Sequence, residues 1–572
     1  MNSLTSVAET VQTALKAKRI GTPVFARIVA HTTDDHGRIE PLLGTALEAA
    51  GSWLGEEVSH VAALGSVASG QITVLAKTPR GKTALVSAGT RGTSPPLLET
   101  TVIGNRGALS WEPACGVGFQ PADGVLRTGN APAPLKESTD VPSDDGRRLL
   151  DAVRKSLELR TAVQLDNRDR TSRRVGSSPA DTPAPAGKMP TPLKKTAPPF
   201  GVLLIAGNHT HQENYARSLA ADKRCRLIAV SDDPDLKDRR REWNEALARE
   251  LKIPYLPNYR HALARDDIHV VSVCAEPERR AEIIVRCAEA GKHLYLDKPL
   301  CASQGETARI VAAIEKAGVV SQMFSLVRSA APTRVRQLSS SGTLGNLTAL
   351  HMDVTFAKGF TGGATLDKAR VENAKPKQFE TIDSKREFYN VGVYPVAQLH
   401  WLVGRPVKRV CAATGNYFFA EHQHNGMEDF GVALLELDGG LVASVAAGRT
   451  GWRSHPSSGL NRNYVVGDKG VAVIDAFRPR LEAWPDAEPW QPPRKHPLDP
   501  MGFWTSTTTE SGALPKTAWL TPPVEARDEF AHFLDCVEAG RPSDVSAQVA
   551  AQVNSVLLAV YESAASGAFV GL

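Results

Sequence analysis

Metal-binding cysteine pairs, long apolar runs and a marked charge excess are all missing from this chain. Its seven cysteines (Cys115, Cys225, Cys274, Cys287, Cys301, Cys411 and Cys536) are scattered, odd in number and show no CxxC spacing. That excludes a cysteine-ligated metal site and a disulfide framework, so no metal is expected and a reduced, cytoplasmic setting is. Sixty-seven Lys and Arg against 62 Asp and Glu leave a formal charge of only +5 over 572 residues. Such a balance gives no reason to expect a nucleic acid or another polyanion as partner. No apolar run approaches the length needed to cross a bilayer, and the first residues, MNSLTSVAETVQTALKAKRIG, lack the apolar core and cleavage site of a secretory signal. No membrane partner is expected.

What is present is ordinary globular material, with 42% apolar and 23% charged residues, in a chain too long for one core. Residues 166–199 are dense in Pro, Ser and charge and nearly devoid of large apolar side chains, which reads as a linker. After it, GVLLIAG (201–207) suits a strand buried on both faces, and further short aliphatic runs alternate with helical stretches of ten or more residues. That alternation predicts a doubly wound α/β unit over 200–325. Beyond it, segments such as LTALHMDVTFAK and FGVALLELDGGLVASVAAG predict an α+β domain over 326–572, built on a large, mostly antiparallel sheet with one clear helix near 393–403 before the C-terminal helices.

The N-terminal region, 1–165, reads as a degenerate copy of that second domain. ALEAAGSWLGEEVSHVAAL (46–64) parallels VYPVAQLHWLVGRPVKRVCAA (393–413), VIGNRGALSWE (102–112) parallels VVGDKGVAVID (465–475), and LLDAVRKSLELRTAVQL (149–165) parallels VLLAVYESAASGAFVGL (556–572). Three matches in one order point to duplication of a structural unit. The copy carries no polar chemistry: Thr45 falls near Tyr394, and Pro41 near Asn390.

Two segments carry chemistry. AEAGKHLYLDKPL (288–300) resembles the AGKHV-x-x-EKP segment of the glucose-fructose oxidoreductase/inositol dehydrogenase/rhizopine catabolism family, with Asp297 where Glu is usual. EFYNVGVYPVAQLHWLVG (387–404) resembles that family's D-x-G-x-H segment, with Asn390 for Asp and Tyr394 for His. The resemblance covers about 200–572. It implies a Rossmann domain binding NAD, a sugar, cyclitol or related polyol as substrate, a homo-oligomer, and Lys298, Tyr394 and Asn390 at the reaction centre. A lysine there can hold a substrate hydroxyl, and a tyrosine with an ordinary pKa near 10 needs a neighbouring cation such as Lys298 to act as a base.

The phosphate turn departs from the pattern. In place of G-x-G-x-x-G the chain has GNHTHQ (207–212), which keeps only Gly207 and puts His209 and Gln212 at the other glycine positions. Three readings stay open: a shifted phosphate path using Asn208, His209, Thr210 and His211, weak or altered cofactor binding, or none. Asp232, at the end of the second strand, is placed to take the ribose hydroxyls and favours NAD over NADP; Arg239, Arg240 and Arg241 could grip a 2′-phosphate, but an Arg run at the start of an amphipathic helix is more often a solvated face. Glu276 and Pro277 follow the fourth strand near the cofactor, and Arg280 stands where the family has a histidine, as a candidate substrate contact.

The expectation is therefore an NAD-dependent polyol or sugar oxidoreductase. The alternatives are an NAD-dependent glycosidase working through transient oxidation, and a non-catalytic sensor. Residues 1–165 are expected to pack on an open sheet face.

Overall fold

The computed structural model describes residues 4–111 (apart from 17, 19, 33–34 and 91–96), 117–120, 125–128, 142–165, 191–373 (apart from 341, 343, 357–358 and 360), 386–451, 461–475 (apart from 470), 496–501 and 529–572. Most of the expected linker, 166–190, lies outside these residues, as does Cys115. The last part, 191–199, is laid against the α/β unit: Lys194 N–H donates to Gly318 O (2.7 Å), and the Thr196 hydroxyl bonds His293 Nε2 (2.8 Å).

Chain order begins with β1 (Pro23–Thr32), β2 (His60–Ser66), β3 (Gln71–Lys77), β4 (Thr83–Thr90), β5 (Leu97–Gly104) and β6 (Gly107–Trp111), then a separate hairpin, β7 (Val117–Gln120) and β8 (Val125–Thr128), and β9 (Val163–Gln164). The N-terminal sheet has the order β6-β5-β1-β4-β3-β2-β9, with only β1 and β4 parallel.

The central unit holds β10 (Phe200–Ile205), β11 (Cys225–Ser231), β12 (Tyr255–Leu256), β13 (Val270–Val273), β14 (His293–Leu296) and β15 (Ser321–Met323) in the order β12-β11-β10-β13-β14-β15, all parallel. This is a Rossmann sheet whose order reverses between β10 and β13, the place where such folds open a ligand crevice. Every residue of β10, β13 and β14 is buried, as strands covered on both faces must be.

The third sheet comprises β16 (Leu347–Phe356), β17 (Val407–Gly415), β18 (Phe430–Leu437), β19 (Val442–Arg449), β20 (Asn461–Gly467), β21 (Val471–Asp475) and β22 (Val570–Gly571). Its order is β21-β20-β16-β19-β18-β17-β22, again with one parallel pair, β16 and β19. Short helices at Ala330–Ser340, Glu387–Val391 and Ala420–His424 accompany the expected one at Val393–Val403. The helix Glu529–Ala539 crosses over to the Rossmann unit, where Phe530, Phe533 and Leu534 join the core around Tyr215 and Tyr295.

The N-terminal sheet repeats the C-terminal one strand for strand, and helices follow suit: Leu4–Lys16 precedes β1 as Ala330–Ser340 precedes β16, and Asp144–Leu159 precedes β9 as Ala547–Ser566 precedes β22. Small polar devices recur as well. Ser156 Oγ accepts from Ala63 N–H (3.1 Å) and donates to Thr161 O (2.5 Å); Ser563 Oγ accepts from Ala412 N–H (2.9 Å) and donates to Ala568 O (2.6 Å). Gly104 and Gly467 each lie against a carbonyl, of Ile20 and Leu344, that an added Cβ would meet at about 2 Å.

The two repeated sheets pack face to face. On β1, Ala26, Ile28 and Ala30 enter the unit's own core, and Phe25, Arg27 and Val29 turn to the other sheet, as a two-residue period demands. Phe25, Leu64, Leu75 and Leu85 meet Phe430, Val432, Leu434 and Val442 there. Arg27, 1% exposed, donates from Nε to Asp353 Oδ2 (2.9 Å), from Nη1 to Ser444 Oγ (2.6 Å), and pairs through Nη2 with Asp353 Oδ1. Tyr464 donates to Glu99 Oε2 (2.7 Å). Both sheets thereby bury a face that would otherwise meet water.

Candidate functional site

The crevice beyond the carboxyl ends of β10, β13 and β14 holds a cavity of about 380 Å³. Trp243, Arg239 and Arg240 of the helix Asp238–Leu251 line it, as do Lys298, Asn390 and Arg386. Lys298 and Asn390 come from different units, 92 positions apart, and meet: Lys298 Nζ donates to Asn390 O (2.8 Å) and Oδ1 (2.7 Å). Burial, aided by the nearby Arg449 and Arg280 charges and opposed by Asp297 and Glu387, brings the Lys298 ammonium down to about 7.

Tyr394 lies beneath this contact, 8% exposed, with Lys298 Nζ 5.0 Å from its ring centre and Phe324 and Phe356 packed edge-on. The ammonium faces the ring. Burial, reinforced by Asp297, pushes the phenol well above its ordinary value, so it stays protonated near neutrality. The expectation that Lys298 would draw the phenol towards phenolate is not met: burial and the Asp297 charge outweigh the lowering by Arg449.

Asp297 replaces the family's glutamate and is held rigidly. It accepts from Tyr215 OH (2.8 Å) and Arg280 Nη2 (3.2 Å), and His211 Nδ1 lies 2.8 Å from Oδ1. Burial alone would raise its carboxyl, but the His211 and Arg280 contacts hold it far below the usual range. Arg280, 2% exposed, also donates to the carbonyls of Ala275 (2.9 Å), Asp297 (3.0 Å) and Pro299, so this wall residue is spent on shaping the strand ends.

Three residues of this network had not been expected. Glu387, one helical turn before Asn390, receives Arg449 Nε (2.7 Å) and Asn390 Nδ2 (3.2 Å), with His422 Nε2 at 3.4 Å. Burial would raise it, yet Arg449 and His422 keep its carboxyl down at about 2. The amide of Asn390 is thus fixed with Nδ2 towards Glu387 and Oδ1 towards Lys298. The i, i+3 spacing of Glu387 and Asn390 was the only sequence trace of this; Arg449 arrives from the end of β19 and His422 from the helix Ala420–His424.

The turn 207–212 is closed on itself. Gly207 is required because a Cβ there would lie 2.6 Å from Asn244 Cα. His209, with φ +59°, lies against Trp243 (ring centres 4.5 Å apart), and its N–H donates to Glu213 Oε1 (2.8 Å). Thr210 Oγ1 donates to Gly207 O (2.7 Å) and accepts from Gln212 N–H (3.0 Å). Gln212 fills the third glycine position by bridging strand ends: Nε2 donates to Ile205 O and Ser272 O, both at 3.0 Å. The backbone donors of Asn208, His209 and Gln212, of the kind a Rossmann turn offers to a diphosphate, are here taken by the chain's own oxygens.

Asp232 is 0% exposed and turned inward, towards Asn244 Nδ2 (3.0 Å) and Arg279 Nη1 (2.9 Å), rather than towards the cavity where ribose hydroxyls would lie. Glu276 accepts from Arg279 (2.8 Å) and Arg240, and Pro277 opens the next helix. The structure thus brings His209, Thr210, His211, Glu276, Pro277, Asp297, Lys298, Arg280 and Asn390 to one cavity wall. It leaves Gly207, Asp232 and Tyr394 behind that wall, and Asn208 is tied by its N–H to Trp243 O (3.3 Å). A redox dinucleotide fits the reactive end, where Lys298 and Asn390 would flank it, but the turn itself offers it little.

Comparison with known proteins agrees with this frame. Residues 202–325 match the model of an oxidoreductase family with an NAD-binding Rossmann fold, and 333–473 match the GFO/IDH/MocA C-terminal domain. The chain is 29% identical over 251 residues, 42% of its length, to a dTDP-3,4-didehydro-2,6-dideoxy-alpha-D-glucose 3-reductase of Saccharopolyspora spinosa, and spans 65% of that relative. It is 24% identical to a scyllo-inositol 2-dehydrogenase (NAD(+)) of Bacillus subtilis, over 47% of this chain and 70% of that one. Scyllo-inositol dehydrogenase from Lactobacillus casei with bound NAD(H) and scyllo-inositol superposes with TM-score 0.46 and 16% identity, over 65% of this chain and 98% of that one. Among the described residues no helix is long and apolar enough to cross a membrane. The Rossmann unit and the sheet domain that follows thus match, in that order, the two domains of the GFO/IDH/MocA family of NAD-binding oxidoreductases.

Proposed function

We propose that the protein oxidises or reduces a secondary alcohol of a sugar, cyclitol or related polyol at the Lys298–Asn390 contact. The observation that carries this reading is the buried Lys298 amine, brought to about 7 and held by both oxygens of Asn390 at the cavity wall. NAD, when bound, supplies the hydride acceptor or donor. Near neutrality Lys298 exists in both protonation states, so the amine can accept the proton of a hydroxyl placed beside it and the ammonium can return one to an alkoxide. Asn390 orients the amine, Glu387 orients Asn390, and the protonated Tyr394 supports the Lys298 charge with its ring face. The relatives' printed activities on deoxysugar nucleotides and inositols support this substrate class.

The test is to mix the full chain with NAD and a panel of hexoses, cyclitols and nucleotide sugars, and to follow NADH formation, with Lys298→Ala as the control. Turnover abolished by that substitution supports the reading. A silent panel, with no NAD-dependent shift in melting temperature, favours a sensor, the alternative to which the closed phosphate turn lends weight.

A further inference from the structure

We infer that a dinucleotide entering this crevice has its diphosphate held by Arg239, with Trp243 as its platform, and not by the backbone amides of the 207–212 turn. The inference rests on the proposed reading of the crevice as a dinucleotide site.

Two sets of observations lead there. First, three of the turn's backbone donors are already taken: the His209 N–H by Glu213, the Gln212 N–H by Thr210 Oγ1, and the Asn208 N–H by Trp243 O. Glu213, in the first turn of its helix, is a built-in anion at the helix N-terminus, where a Rossmann fold places a phosphate. A second anion on that spot would meet repulsion. Second, the cations on the cavity wall are unequal. Arg279 is matched by Asp232, Asp233 and Glu276, and Arg240 by Glu276. Among the described residues Arg239 is paired with no carboxylate; Nη2 donates to Leu498 O (3.1 Å), and Nε is buried with no partner. Its guanidinium lies 4.5 Å from the centre of the Trp243 ring, which holds the planar fork in place at the cavity. Lys237 and Asp235 also line the cavity.

A guanidinium held in this way suits bidentate contact with a diphosphate, and it leaves the adenosine and nicotinamide ends to the cavity walls. It also accounts for why glycines are dispensable at 209 and 212: nothing needs to approach those backbone positions closely.

The experiment is titration calorimetry on the full chain with NAD, with ADP-ribose, and with adenosine, which lacks the diphosphate. Arg239→Ala should weaken NAD and ADP-ribose by about tenfold or more and flatten the salt dependence of both, leave adenosine unchanged, and be partly rescued by Arg239→Lys. Asn208→Ala and Thr210→Ala should each cost less than about threefold. If the turn variants cost tenfold and Arg239→Ala does not, the inference falls while the dinucleotide reading stands. If the unmodified chain binds neither NAD nor ADP-ribose, the dinucleotide reading fails and the inference goes with it.

Discussion

The N-terminal and C-terminal sheets share strand order, the single parallel pair, flanking helices and even the serine that ties a helix end to a strand amide, yet only one of them bears chemistry. The difference lies in what the residues ahead of the helix that follows the first strand are brought up to. In the C-terminal unit, the helices Glu387–Val391 and Val393–Val403 bring Asn390 up to a lysine of the Rossmann unit. In the N-terminal unit, the helix Ile39–Leu54 packs on Leu4–Lys16, whose Leu4, Val7 and Val11 are buried with it, and Trp53 Nε1 donates to Ala8 O (3.3 Å), a contact that Val393–Val403 repeats with Ala330–Ser340, where Arg336 lies over the Trp401 ring. Thr45, the counterpart of Tyr394, bonds only Pro41 O (3.2 Å) in its own helix. Topology survives without a reaction because its determinants are packing and backbone bonds. The reactive residues require the neighbouring Rossmann unit, which supplies Lys298.

The comparison is broken most severely at Lys298. Lys298→Met should lower kcat/KM by about 10²–10⁴-fold in steady-state assays, and Thr45→Val should leave it within about twofold. The oxidation rate of the unmodified protein should rise with pH and level off above about 7, since the neutral amine is the proton acceptor. A flat profile across that range would remove Lys298 from the proton's path.

Next in size is the contact between the sheets. Arg27→Met strands Asp353 in a buried setting and should destabilise the chain by about 3–5 kcal/mol in urea unfolding. The double change with Asp353→Leu should recover most of that loss, because both charges are then gone. Smaller, and the sharpest test of likeness, are Ser156→Ala and Ser563→Ala. Each leaves one buried strand amide unpaired and should cost about 1–3 kcal/mol, by the same amount in both units.

The smallest effect concerns Glu428, beside the helix that carries Asn390. Burial raises its carboxyl from 4.5 to about 7. The folded chain therefore binds the extra proton, and the stability this contributes is whole below pH 4.5 and lost as pH rises through about 7. Glu428→Gln, which keeps an oxygen for Phe388 N–H and Tyr561 OH, should raise the stability at pH 8 by about 1 kcal/mol and flatten that slope.

Much of this was legible from residues alone. Alternating aliphatic runs and helices mark the Rossmann unit, because a parallel strand buried on both faces admits little else, and the repeated VIGNRG and VVGDKG segments mark the turns that end β5 and β20. Lys298 and Asn390 stand in recognisable motifs. Illegible were Glu213 plugging its own helix terminus, Arg239 coming inward while Arg241 stays out, Asp232 turning away from the crevice, and Arg449 clamping Glu387. Each depends on which of several polar groups wins a partner, and such contests are settled across gaps of many residues.

Local pattern, then, determined the kinds of unit and their order, since burial period and turn chemistry act over a few residues at a time. Only the tertiary structure decided which charges are spent and which are left to a ligand: a guanidinium near one carboxylate is neutralised, and the same group some ångströms away, on an aromatic face, remains available to an anion.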